Sequence, residues 1–161
     1  MADVAAVKTL VNAARQTYSV SPLEALPAGE RGNPCFCPIG RAMRKDMGDV
    51  FFVAVGTKHL RLASTDENSR EIAHRIRDAW GVRVKDNASS VAGEQFSTIP
   101  LPPKMREFVA DFDAGRLPEL EAHIGELEKA RFSELAGRVW NMAIGPSRRT
   151  RQSKLSGDSR F

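Results

Sequence analysis

The chain has 161 residues, 42% hydrophobic and 27% charged, which suits one globular domain able to bury a core without a metal or a disulfide. Its longest apolar run, residues 50–55, is far too short to span a bilayer, and its N-terminus lacks the basic and apolar regions of a signal peptide. Residues 1–144 hold 19 basic and 19 acidic side chains, whereas residues 145–161 hold five basic and one acidic, so the whole net charge of +4 lies in the last segment.

These features predict a cytoplasmic protein, in which two cysteines do not form a structural disulfide. They divide the chain into one compact domain, residues 1–144, and a basic disordered tail, residues 145–161. An arm of that charge suits a polyanion.

Val4, Val7, Val11, Ala14 and Tyr18 recur at spacings of three and four, a helical seam with Asp3 placed to cap it. Residues 19–34 read as a loop. Cys37 and Pro38 stand at the cap and first positions of a second helix, with Gly48 at its end. Residues 50–55 form a buried strand, and Gly56-Thr57 suits a tight turn into residues 58–63. In that hairpin Phe51, Val53, Leu60 and Leu62 share one face, while Phe52, Ala54, His59 and Arg61 share the other.

A third helix starts around Thr65-Asp66-Glu67, with Ile72, Ile76 and Trp80 inward and Gly81 as its stop. Val82-Arg83-Val84 predicts a short strand near 82–85. A long connection over 86–103 includes a possible edge strand from 96 to 99. Met105, Phe108, Val109 and Phe112 match the i, i+3, i+4, i+7 pattern. The last helix is expected over 118–144, with a seam of Leu120, Ile124, Leu127, Phe132, Leu135, Val139 and Met142 that shifts around the helix between 127 and 132. The expected class is α+β: a small antiparallel sheet covered by helices.

Two segments carry a resemblance. Cys37-Pro38-Ile39-Gly40-Arg41-Ala42-Met43 and Phe108-Val109-Ala110-Asp111-Phe112-Asp113-Ala114-Gly115 resemble, in this order around a hairpin, segments of small uncharacterised proteins of actinobacteria and their phages. The resemblance covers roughly residues 33–118. Those relatives usually stop soon after the second segment, and here a long helix and a basic tail follow. The resemblance implies a phage, mobile-element or actinobacterial origin and no activity.

Several groups could carry chemistry. Cys37 at a helix N-terminus faces free backbone N–H groups that favour a thiolate. Cys35 and Cys37 could instead give zinc two ligands, completed by His59, His74 or His123, although the spacing is not a zinc-finger one. Both could equally be small buried hydrophobes. Arg70, His74 and Arg77 form a basic helical stripe, but Glu71–Arg75 and His74–Asp78 are spaced to pair. His59 reads as a surface histidine beside Arg61. The tail residues Arg148, Arg149, Arg151 and Lys154, with Arg138 on the last helix, suit nucleic-acid phosphates.

No phosphate loop, nucleophile elbow or dinucleotide fingerprint occurs. The leading expectation is a non-enzymatic protein without a cofactor that binds nucleic acid or a nucleoprotein complex. The alternatives are a protein–protein inhibitor or adaptor acting through the last helix on a host protein of a defence or transcription complex, a helix that could also pair two copies, and a metal- or thiol-dependent activity at Cys35 and Cys37.

Overall fold

The computed structural model describes residues 2–65, 69–83 and 96–144. Its elements are α1 (Val4–Thr17), α2 (Pro38–Arg44), β1 (Phe51–Val55), β2 (His59–Ser64), α3 (Ser69–Trp80), β3 (Ser97–Pro100), α4 (Pro103–Asp113) and α5 (Glu126–Ile144). The three strands form one antiparallel sheet in the order β1-β2-β3, and the fold is α+β.

The sheet's first face is apolar because alternate residues point to it. Phe51, Val53, Val55, Leu60, Leu62 and Ile99 are all buried there, against the stripes of α1, α2, α3 and α4. Each large side chain so buried contributes about 1.5–3 kcal/mol. The seam of α1 behaves as its spacing dictates: Val7, Val11 and Ala14 are fully buried, and Asp3 caps the helix by accepting from Ala6 N at 2.9 Å. Ile72, Ile76 and Trp80 face inward from α3, and Gly81 follows that helix at φ +67°, a left-handed value that favours glycine.

The second face of the sheet is covered at one end by α5. Leu135 and Val139 bury against Ala63, with Phe52 and Phe96 alongside. Phe132 stacks on Phe52 with ring centres 5.1 Å apart. The last helix therefore packs on this chain's own sheet, and the molecule has three layers.

Five expectations change. The hairpin turn is centred on Thr57 and Lys58, closed by Gly56 N donating to His59 O at 2.8 Å, and Val55 pairs with Leu60. That register lies two residues from the expected one, and a shift of two leaves every side chain on its expected face. The third strand is Ser97–Pro100, not 82–85: Val82 and Arg83 form no strand, and 84–85 lie outside the described residues. The second helix ends at Arg44, with Lys45 as its C-cap, before Gly48.

The last helix begins at Glu126, not at 118. Pro118–Leu120 is a 3-10 turn, and Ile124 is buried from the connecting segment. That segment is pinned by backbone bonds of 2.8 Å, from Gly29 N to Leu120 O and from Ala122 N to Gly29 O. Leu127, expected in the seam, is 68% exposed. The expected opening of α3 at Asp66 and Glu67, and the tail 145–161, lie outside the described residues.

Candidate functional site

The thiols are placed by α2. Cys37 is its N-cap, and Sγ accepts from Gly40 N at 3.4 Å. The cap position was legible, but the chemistry expected of it is not what the packing provides. Cys37 is buried, and desolvation of the thiolate outweighs the backbone N–H groups, pushing its pKa up from 9.0 to about 11. Burial also raises Cys35, against the opposing pull of Arg44. A reactive thiolate is thus disfavoured at both positions. Nor does a zinc site assemble: among the described residues no three His, Cys, Asp or Glu side chains come close enough to hold a metal ion. His59 is exposed at the hairpin end, His74 sits 3.6 Å from Asp78, and His123 lies 3.9 Å from Glu30.

Within the α3 stripe His74 pairs along its own helix with Asp78, whereas Arg77 Nη1 donates to the edge carbonyl of Thr98 at 3.1 Å; the neighbouring Arg75 reaches Glu71 at 3.9 Å. Partial burial there lowers the Arg77 pKa.

The two resembling segments meet in space. Cys37 from the first, with Pro34 shortly before it, and Phe108, Phe112 and Asp113 from the second, line a cleft of about 140 Å³ beside the hairpin turn. Its volume is close to that of a cavity that takes one benzene-sized group. Asn33 and Asp113 stand at its polar rim, where Asp113 Oδ1 accepts from Gly32 N at 3.3 Å.

A second constellation anchors α5, and nothing in the sequence pattern announced it. Arg41 donates to both carboxylate oxygens of Glu128, each at 2.9 Å, and also to Ala28 O. Lys129 Nζ meets Glu30 at 3.1 Å, and hydrogen bonds from Asn33 and Lys129 hold the Glu30 carboxyl below its ordinary range. Arg44 donates to Cys35 O and to Val53 O, and its guanidinium lies 4.5 Å from the ring centre of Phe132 and 5.2 Å from that of Phe36. Burial pulls its pKa down from 12.5 to about 10.

On the second face of the sheet His59 and Arg61 are exposed, beside Ala54 and Thr98, and Lys58 is exposed in the hairpin turn. Arg138 is exposed on α5, and Arg148, Arg149, Arg151 and Lys154 lie outside the described residues. No helix of the described residues is long and apolar enough to cross a membrane. No family model, no curated protein and no solved structure matches this chain.

Proposed function

We propose that the protein binds nucleic acid through the basic residues of 145–161, in a phage or mobile-element setting, with α5 as the anchor of that arm. The observation that carries this reading is the location of the charge: the body is neutral and the final 17 residues hold all of the net +4. The arm continues directly from α5, whose Leu135 and Val139 are buried on the sheet and whose first turn is clamped by Arg41. Five cations on one arm would neutralise up to five phosphates, a log–log salt slope of about −4 on duplex DNA. The raised thiol pKa values weigh against chemistry at Cys35 and Cys37. The test is binding to random-sequence DNA and RNA over a salt series, for the full chain and for a version ending at Gly145. Steep salt dependence in the full chain, lost on truncation, is expected. Equal binding by both versions would overturn the reading.

One observation favours a second reading, a protein partner held by α5. Leu127 is 68% exposed at the start of that helix. It borders an open groove of about 480 Å³ that Phe36, Phe132 and Leu135 also line. Binding of this kind would survive truncation and depend weakly on salt. Leu127→Ser would abolish it with little effect on stability, within about 0.5 kcal/mol for an exposed site.

A further inference from the structure

We propose that the groove between α2 and the first turns of α5 binds a small aromatic carboxylate, its anion held by Arg44 and Arg131 and its ring laid on Phe132 and Leu127. The inference does not depend on the nucleic-acid reading above, and it gives the groove a ligand that neither reading names.

Three features meet in this groove of about 480 Å³, a volume within the usual range of small-molecule sites. The first is Arg44. A charge drawn out of water is normally paired with an opposite one, yet Arg44 is partly buried and forms no ion pair among the described residues. The ring centres of Phe132 and Phe36 lie 4.5 and 5.2 Å from its guanidinium, and its hydrogen bonds to Cys35 O and Val53 O both leave from Nη1. Nε and Nη2 are not sealed from solvent, so they are donors left for the groove that Arg44 lines. Burial pulls the Arg44 pKa down to about 10, against the opposing pull of Cys35, Cys37 and Glu128. The side chain therefore keeps its charge at neutral pH, and the fold bears the cost of desolvating it. An anion in the groove would offset that cost.

The second feature is Arg131, which lines the same groove, is exposed and forms no ion pair among the described residues. Glu128 also lines the groove, but both of its carboxylate oxygens already accept from Arg41 at 2.9 Å. The third is Leu127, which is 68% exposed and stands four residues before Arg131, on the same side of α5. A lone exposed leucine needs no explanation. This one borders the partly buried ring of Phe132 beside two unpaired cations.

That arrangement selects the chemistry of its ligand. The two guanidinium groups make one wall cationic, and Phe132 and Leu127 make another apolar, so an organic anion with an apolar body meets both. Glu128 limits its charge: a carboxylate already in the wall would repel the second negative charge of a phosphate monoester. The forked donors of a guanidinium match a carboxylate, and a flat ring can lie edge-on or offset against Phe132.

The test is a two-dimensional NMR titration of the full chain with 2-naphthoate. Two further probes are 2-naphthalenemethanol, the ring without the charge, and acetate, the charge without the ring. 2-Naphthoate should bind with a Kd of about 1 mM or below, as ordinary ligand efficiency gives for a molecule of this size, and it should shift the amides of Arg44, Leu127 and Arg131. Each of the other probes should bind roughly tenfold more weakly or worse. Arg44→Gln should weaken 2-naphthoate about tenfold. Because that change also strands two carbonyls, a second variant, Leu127→Ser with Arg131→Gln, alters exposed side chains only and should weaken it about fivefold. Lys58→Gln with Arg106→Gln removes charge from exposed positions outside the groove and should bind like the unaltered chain. Equal affinity for 2-naphthalenemethanol would mean an apolar surface without an anion site. Equal weakening by the Lys58 and Arg106 pair would mean attraction to net charge alone. Either result overturns the inference, as would shifts confined to residues outside the groove, or no shift at about ten times the expected Kd. The nucleic-acid reading is decided separately, by the salt series and the truncation.

Discussion

Arg41 on α2 and Glu128 on α5 meet through two parallel N–H···O bonds of 2.9 Å each, across 87 positions of sequence. The pair couples the helix that begins at the Cys-Pro segment to the helix that leads into the basic arm. Glu128 is 42% exposed and Arg41 25%, so solvent screens the attraction, and a bidentate pair of this kind is worth about 0.5–1 kcal/mol. Glu128→Gln should lower stability by about that amount in urea unfolding. It should also speed hydrogen exchange in the first turns of α5 while leaving α1 and α3 unchanged, because α5 rests on a small second cluster and not on the main core.

Arg15 is the buried counterpart. Its guanidinium is fully enclosed and donates to Ser21 O at 2.9 Å, Ala42 O at 2.8 Å, Lys45 O at 2.7 Å and Asp46 Oδ2 at 2.8 Å. Arg15→Met would strand three carbonyls and should cost about 3–5 kcal/mol. Asp46 is half-exposed, so Asp46→Asn should cost only about 1 kcal/mol. Chemical denaturation of the two variants compares them directly. Equal losses would mean that the ion pair, and not the carbonyls, holds the site.

Cys37 predicts a pH dependence. Its pKa is raised from 9.0 to about 11 in the fold by burial, so the unfolded chain loses this proton first as pH rises. Stability contributed by the neutral thiol is fully present below pH 9 and falls between 9 and 11. Burial shifts Tyr18 upward as well, which extends the loss to higher pH. Cys37→Ala should remove the part between 9 and 11, seen as a flatter curve of urea midpoint against pH. At neutral pH the folded protein should alkylate slowly at Cys35 and more slowly still at Cys37, and both should react fast in denaturant.

Gly29 lies where the connection to α5 crosses the Cys-Pro segment. A Cβ there would stand 2.6 Å from Phe36 O and from the Pro38 ring. Gly29→Ala should cost about 1–3 kcal/mol through backbone displacement, measured as a lower thermal midpoint. Unchanged stability would show that the 28–38 segment can move aside freely.

Much of this molecule was determined by local sequence. Val7, Val11 and Ala14 had to form the buried stripe of a helix, and Cys37 with Pro38 had to begin one, since periodicity and cap chemistry are properties of neighbours in the chain. The faces of β1 and β2 were legible for the same reason, and they survived a register error of two because side chains alternate with period two. The strand at 97 could be read only as a possibility: its four residues (Ser97–Pro100) include the strand-favouring Thr98 and Ile99 but end in proline and are too few to show an alternation, and pairing with β2 completes the strand. The start of α5 was misplaced because Leu120 and Ile124 continue an apolar spacing, although they serve a connecting segment tied to Gly29. Tertiary structure alone decided the state of the thiols, since burial reverses the shift that a helix N-terminus would give, and burial is set by residues far along the chain. It alone decided that Arg15 sits in the core, because three of its four acceptors come from beyond position 40.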